Sequence, residues 1–337
     1  AYLGRLKSAR EASALGRAEA LTLQAEALAP NESRVLILRF RVELARGEEK
    51  KPAEALARFE AAFPGDPRAF LLRAELAEHD GPAAAAIPLL VAVVARTPAW
   101  PELLHLAKLE RDVGRLADAR LHLRQLLAVS PNNLWGREAL AVLELTYGDP
   151  AAAERLYQKL AAELPRERSL WTDLGLARFL AGRFEAAIEA HRRALALAPR
   201  HATVLLNLAD AELASGRRVT ALGHYRDALA SFQETEAATG LPPEARLEKA
   251  QCLAHLGRTD EAVELAQLVL RDRPGEPEIA FEAALVYALA GDRTSALINA
   301  RAAWRQGYGP AWFGIAAFDF LKDDPELRTR LAAARAP

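Results

Sequence analysis

The most informative part of the sequence is residues 169–199, SLWTDLGLARFLAGRFEAAIEAHRRALALAP. Its apolar residues recur at steps of three and four, which is the period of an α-helix with one buried face. Gly182 divides the stretch into two parts, and Pro199 closes the second part. Glycine favours the left-handed turn that ends a helix, and proline cannot continue one. The stretch therefore predicts two helices joined by a tight turn.

The same pattern recurs along the chain, and an alanine marks each copy. The alanines are mostly 33 or 34 residues apart: Ala18, Ala55, Ala86, Ala119, Ala153, Ala187, Ala221, Ala262 and Ala296. Five positions earlier, seven copies have a glycine: Gly81, Gly114, Gly148, Gly182, Gly216, Gly257 and Gly291. A repeat of this length is typical of stacked helix pairs. The chain is therefore predicted to be all-α, with about nine helix-turn-helix units over residues 1–310.

The best copy resembles a tetratricopeptide repeat. Trp171, Leu174, Gly175, Ala187 and Pro199 occur in the order and spacing of that family's pattern, W-x2-L-G…A…P. Two aromatic positions of the pattern differ, because Arg178 and His191 stand there. The resemblance implies a right-handed superhelical solenoid in which the first helix of each unit lines a concave surface.

Two regions depart from the repeat. The spacing between Ala221 and Ala262 is seven residues longer than its neighbours, which predicts an extended helix near residues 221–241. Residues 311–337 have no repeat register and contain several aromatic residues. The last unit of an array exposes an apolar face that needs a cover. Residues 311–337 are therefore predicted to form a C-terminal capping segment.

Composition excludes several classes of function. Lys and Arg number 44 and Asp and Glu number 45, so the chain lacks the positive field of a nucleic-acid-binding protein. The single cysteine, Cys252, is expected in the core, and His191 at an aromatic packing position. There is no histidine or cysteine cluster, phosphate-binding loop or catalytic motif. We therefore predict no metal, no cofactor and no enzymatic activity.

The longest uncharged run, residues 81–95, is too short to span a membrane. We expect no direct membrane insertion and a cytoplasmic location. The chain has no methionine at all, which indicates either a chain whose start was removed or a segment of a longer protein. If that protein is exported or membrane-anchored, a periplasmic location also fits.

The family resemblance places the partner-binding surface on the first helices. The positions that it directs inward are Trp135, Glu138, Val142, Leu145, Thr172, Leu176, Phe179, Leu206, Asp210 and Leu213, and the charged approach includes Lys108 and Arg111. Trp135 could equally pack against a neighbouring helix. An apolar groove with a charged approach suits an extended or helical peptide. We expect Trp135, Phe179 and Leu213 to lie near one another if the first helices line the concave side.

Some family members hold a C-terminal carboxylate with a Lys/Asn/Arg clamp. Asn207 fits one clamp position here, but the others hold Thr172, Leu176, Glu244 and Glu248. The sequence therefore does not favour binding of this type.

Two functions remain open. The first is a scaffold that binds a protein or peptide in its concave groove. The second is a regulatory or docking region of a larger signalling enzyme, because residues 291–333 resemble the closing segment of the repeat regions that follow bacterial serine/threonine protein kinases. A kinase-type glycine-rich loop encoded upstream would favour the second.

Overall fold

The structure is a computed structural model that describes residues 2–47 and 50–325 of the 337-residue chain. Throughout these residues the secondary structure is helical, and no β-strand occurs in them. The all-α prediction is confirmed. The chain divides into two compact units, residues 1–131 and residues 132–337.

The first unit contains a single helix followed by three helix pairs. Its helices are α1 (Tyr2–Leu28), α2 (Ser33–Arg46), α3 (Lys51–Ala62), α4 (Arg68–Asp80), α5 (Ile87–Arg96), α6 (Trp100–Asp112) and α7 (Leu116–Val129). A short 3-10 helix, Ala83–Ala85, precedes α5. Consecutive helices pack against each other, and Phe40, Phe59 and Leu72 are central to one buried cluster.

The first predicted unit differs from the others, because residues 2–28 form one uninterrupted helix instead of a pair. The position five residues before Ala18 is Ser13, whereas seven later copies have a glycine there. Without a residue that favours the left-handed turn, the helix continues through this point. The described residues therefore form eight helix pairs and one single helix.

The second unit contains five helix pairs and a C-terminal segment. Its helices are α8 (Leu134–Tyr147), α9 (Pro150–Glu163), α10 (Arg168–Leu180), α11 (Phe184–Leu197), α12 (Ala202–Ala214), α13 (Arg218–Thr239), α14 (Pro243–His255), α15 (Thr259–Asp272), α16 (Pro277–Ala290) and α17 (Arg293–Arg305). Two 3-10 helices, Pro310–Gly314 and Ala316–Asp323, follow them. The predicted capping segment begins within these 3-10 helices, and its residues 326–337 lie outside the described part of the chain.

Most of the predicted turns have the expected backbone. Gly182 has a φ of 74°, in the left-handed region, and it separates α10 from α11. Gly81 and Gly148 differ, with φ of −149° and −127°. Gly81 precedes a proline, which disfavours helical backbone at that position. After Gly148 the side chain of Asp149 accepts hydrogen bonds from the first amides of α9, so that helix begins at once.

Helix α13 is 22 residues long, and it occupies the region where the repeat spacing increases. Phe232 lies in its additional turns and is buried, as is Leu241 immediately after the helix. Both side chains belong to the large core cluster of α12 to α16. The extra length therefore packs against the array only at its start, because residues 233–239 are exposed apart from Glu236, which pairs with Lys249.

Candidate functional site

The second unit contains a groove of about 1010 Å³. The first helices α10, α12, α14 and α16 contact one another in order and form one wall. Residues 310–319 of the C-terminal segment form part of the other wall. The groove therefore lies between the helical array and residues 310–319 of the same chain.

Six of the twelve residues predicted to bind a partner line this groove. Three come from α10 and three from α12: Thr172, Leu176, Phe179, Leu206, Asp210 and Leu213. Phe179 is half-buried, and its ring lies 5.7 Å from that of Phe184. Leu285 and Leu289 of α16 add further apolar surface. The groove can thus accept large apolar side chains between the two walls.

The four predicted residues of α8 do not line the groove. Trp135 is 56% exposed and Glu138 is exposed, both outside the groove, whereas Leu145 is buried in the core and Val142 packs beside it. Trp135 therefore does not share the groove with Phe179 and Leu213. The C-terminal segment explains part of this result, because Trp312 contacts the backbone of α8 at Leu145.

Lys108 and Arg111 belong to α6 of the first unit and do not line the groove of the second. Lys108 is exposed, and the Arg111 guanidinium lies 2.6 Å from the carboxylate of Asp112. Both cations are therefore part of a solvated face of α6.

Three carboxylates from three successive units face the groove: Asp210 of α12, Glu248 of α14 and Glu282 of α16. Each accepts a hydrogen bond from a neutral donor. The Tyr225 hydroxyl donates to Asp210 at 2.6 Å, the Thr203 hydroxyl donates to Glu248 at 2.6 Å, and the Gln251 amide donates to Glu282.

No lysine or arginine within the described residues forms an ion pair with any of the three. Among the described residues, the basic group within 4 Å of these carboxylates is His255, whose Nε2 lies 3.5 Å from Asp210. Burial lowers the pKa of His255 to about 4, so its imidazole is neutral near neutral pH. The carboxylates thus have no cation to balance their charge.

Burial raises the pKa of all three carboxyl groups. The pKa of Asp210 rises to about 6, that of Glu248 to about 7 and that of Glu282 to about 8. The negative charges of Asp210 and Glu248 raise the pKa of Glu282 further, and the charge of Asp210 also raises the pKa of Glu248. The three groups therefore form one interacting set that resists full ionisation at neutral pH.

A fourth groove carboxylate, Asp173 of α10, has its pKa raised to about 7, mainly by burial. The sequence contains a signal for three of these four carboxylates. Fourteen residues before the marker alanines of four successive units stand Asp173, Asn207, Glu248 and Glu282. Sequence reasoning noticed Asn207 and Glu248 only as members of an incomplete clamp and missed the row.

His191 of α11 also lines the groove. Its ring is fully buried, and neither ring nitrogen has a hydrogen-bond partner in the structure. Burial lowers the pKa of His191 to about 3, so the ring is neutral. The ring packs over Gly175, where an added Cβ would lie 2.3 Å from Cε1 of the ring. The predicted packing role of His191 is thus observed, but its nitrogens are left without donors or acceptors.

The C-terminal segment connects the last pair of the second unit to its first helix. The Gly309 amide donates to the Thr146 carbonyl at 2.8 Å, and Trp312 Nε1 donates to the Leu145 carbonyl at 2.9 Å. The Tyr147 hydroxyl donates to Glu278 at 2.6 Å. Tyr308 and Phe313 of the segment pack with α16 and α17 residues in one buried aromatic cluster. The segment therefore covers the last pair and also closes the unit against α8.

Within residues 2–47 and 50–325, every helix is too short or too polar to cross a lipid bilayer. The same residues contain no group of three or more His, Cys, Asp and Glu side chains that could hold a metal ion. The groove carboxylates are therefore not arranged as a metal site.

Comparison with known proteins finds similarity to tetratricopeptide repeats. Two models described as tetratricopeptide repeat match residues 166–234 and 213–277. A crystal structure of a tetratricopeptide repeat protein from Parabacteroides merdae is 16% identical over 80% of this chain and 99% of its own, with a TM-score of 0.52. A crystal structure of MamA protein is 21% identical over 52% of this chain and 96% of its own, with a TM-score of 0.47.

No curated protein matches the chain. The repeat models and the solved repeat structure agree with the series of helix pairs described above. Residues 166–277 are therefore similar to tetratricopeptide repeats, which generally bind other proteins. The resemblance of residues 291–333 to kinase-linked regions is not among these findings.

Proposed function

We propose that the chain is a non-catalytic scaffold that binds a segment of another protein in the groove of its second unit. The observation that carries the proposal is the groove itself, which brings apolar and acceptor side chains of four first helices together. Binding sites for proteins and ligands commonly combine apolar surface with a few fixed polar groups. Phe179, Leu176 and Leu213 would contact an apolar side chain of the partner.

The test selects random displayed peptides for binding to the full chain. The affinity of each selected peptide is then measured by titration. Buried aromatic contacts often contribute about 2 kcal/mol or more to binding. Phe179→Ala should therefore weaken groove-binding peptides at least roughly tenfold. Trp135→Ala is the matched control, because Trp135 is exposed outside the groove. We expect that variant to bind normally.

Equal affinity of wild type and Phe179→Ala for every selected peptide would contradict groove binding. Melting curves accompany the titrations, because Phe179 also packs against Phe184. If Phe179→Ala lowers the melting temperature strongly, Leu213→Ala replaces it in the same titration.

The location in the cytoplasm belongs to the same proposal and is tested by fractionating the source cells.

The kinase-linked alternative is carried by the sequence of residues 291–333 alone. Sequencing the gene upstream of the codon for residue 1 tests it, since a kinase domain there would make this chain its docking region.

A further inference from the structure

We propose that the groove selects partner segments that carry lysine or arginine side chains beside large apolar residues. This inference rests on the proposed function, because it names the chemistry of the segment that the groove binds. Three separate observations support it: the unbalanced carboxylates, the unpartnered histidine and the apolar walls.

The first observation is the charge of the groove. Asp210, Glu248 and Glu282 receive hydrogen bonds only from neutral hydroxyl and amide groups, and no lysine or arginine in the described residues pairs with them. These half-buried carboxylates have lost part of their hydration, and an opposite charge nearby would stabilise their ionised form. Lysine or arginine side chains supplied by a partner would therefore stabilise the ionised form of these groups.

The second observation is independent of the carboxylates. His191 lines the same groove, its ring is fully buried, and both of its nitrogens lack partners in the structure. A neutral imidazole has one nitrogen that accepts a hydrogen bond. The N–H groups of lysine and arginine are donors, so they match this nitrogen as well as the carboxylates.

The third observation is the apolar surface beside the charges. Leu206 and Leu285 line the groove on the same helices, α12 and α16, as Asp210 and Glu282. Lysine and arginine have long apolar stems that can lie along such surface while the charged end reaches a carboxylate. An acidic segment would instead place like charges together, which disfavours binding.

The experiment measures binding of three short synthetic peptides to the full chain near neutral pH and low salt. The first alternates lysine with leucine. The second replaces each lysine by acetyl-lysine, which keeps the stem but removes the charge. The third replaces each lysine by glutamate. We expect the lysine peptide to bind at least roughly tenfold more tightly than either of the others.

A double variant locates the effect. Glu248→Gln with Glu282→Gln removes two ionisable carboxyl groups but keeps oxygens that can accept from Thr203 and Gln251. It should weaken the lysine peptide at least roughly tenfold and leave the acetyl-lysine peptide unchanged. Glu264→Gln is the matched control, since Glu264 is exposed on α15 and does not line the groove.

The outcomes separate this inference from the proposed function. If acetyl-lysine and lysine peptides bind equally and both are weakened by Phe179→Ala, the groove binds peptides but does not select basic ones. If the lysine peptide binds the double variant as tightly as wild type, the carboxylates are not its site and the inference is overturned. If none of the peptides binds, the inference is also overturned, and the display selection decides the proposed function. Should the double variant lose helical structure, each single variant repeats the test.

Discussion

At the residue scale, the close contact between α10 and α11 depends on one glycine. The His191 ring occupies the space that a side chain at position 175 would need. The family pattern predicts a small residue at position 175, and this part of the packing follows from the sequence. The missing hydrogen bonds of His191 do not follow from it, because they depend on which polar groups surround the ring in three dimensions.

Gly175→Ala should destabilise the protein. Its Cβ would lie 2.3 Å from a ring carbon, so the His191 ring or the helices must move. Overpacking of this kind costs about 1–3 kcal/mol. Gly223→Ala is the matched control, since Gly223 lies inside α13 and its added Cβ would meet nothing within 4 Å.

The measurement is urea unfolding followed by circular dichroism. Alanine is a better helix former than glycine, so Gly223→Ala should be neutral or stabilise by up to about 1 kcal/mol. A Gly175→Ala variant as stable as the control would show that the contact between Gly175 and His191 is not tight.

A second prediction at this scale concerns pH. The folded-state pKa of Glu282, about 8, is above its ordinary value of 4.5. Between those values the folded state binds more protons than the unfolded state, so the free energy of unfolding falls as pH rises from 5 to 8. Glu282→Gln removes this loss. The variant should therefore gain melting temperature over wild type at pH 8 and show less gain at pH 5.

Other groups change with pH in both proteins, so the comparison uses the difference between variant and wild type. Asp210 and Glu248 also have raised pKa values, and they act in the same direction as Glu282. His191 and His255 have lowered pKa values, so they reduce stability as pH falls below about 6.5. A melting-temperature difference that is the same at pH 5 and pH 8 would contradict the raised pKa of Glu282.

At the element scale, the C-terminal segment makes contacts that its sequence does not predict. Its aromatic residues and loss of register predicted a cover for the last pair, and Phe313 and Tyr308 do pack with α16 and α17. The hydrogen bonds to Leu145 and Thr146 of α8 join residues more than 160 positions apart. These hydrogen bonds depend on the combined curvature of five helix pairs, and no local sequence pattern predicts that curvature.

Gly309→Ala tests the contact with α8. Gly309 has a φ of −64°, so alanine is compatible with the backbone there. Its Cβ would nevertheless lie 2.7 Å from the Thr146 carbonyl oxygen. We expect a loss of about 1–3 kcal/mol in the free energy of unfolding.

Trp312→Phe is the companion variant, because it keeps an aromatic ring but removes the indole N–H that donates to Leu145. It should destabilise by about 1 kcal/mol. Urea titration measures both variants. If both unfold at the wild-type midpoint, the C-terminal segment does not hold α8 in solution.

At the scale of the whole molecule, the repeat register predicted the helix pairs but not their grouping into two units. The predicted partner-binding residues of α10 and α12 line the groove and those of α8 do not, and their binding of a partner stays a prediction. The marker alanines give α8 the same register as its neighbours, yet α8 is the first helix of the second unit and contacts the C-terminal segment. The residues that define the proposed specificity, Asp210, Glu248 and Glu282, come from three units and become a set only in the folded array.

The most direct test of the account is hydrogen exchange of the full chain with and without a peptide obtained from the display selection. Amides protected by binding should lie in α10, α12, α14 and α16 and in residues 310–319, the elements that line the groove. The second helices α11, α13 and α15 and the first unit should change less. Protection concentrated in the first unit, or on the second helices alone, would contradict the groove of the second unit as the binding site.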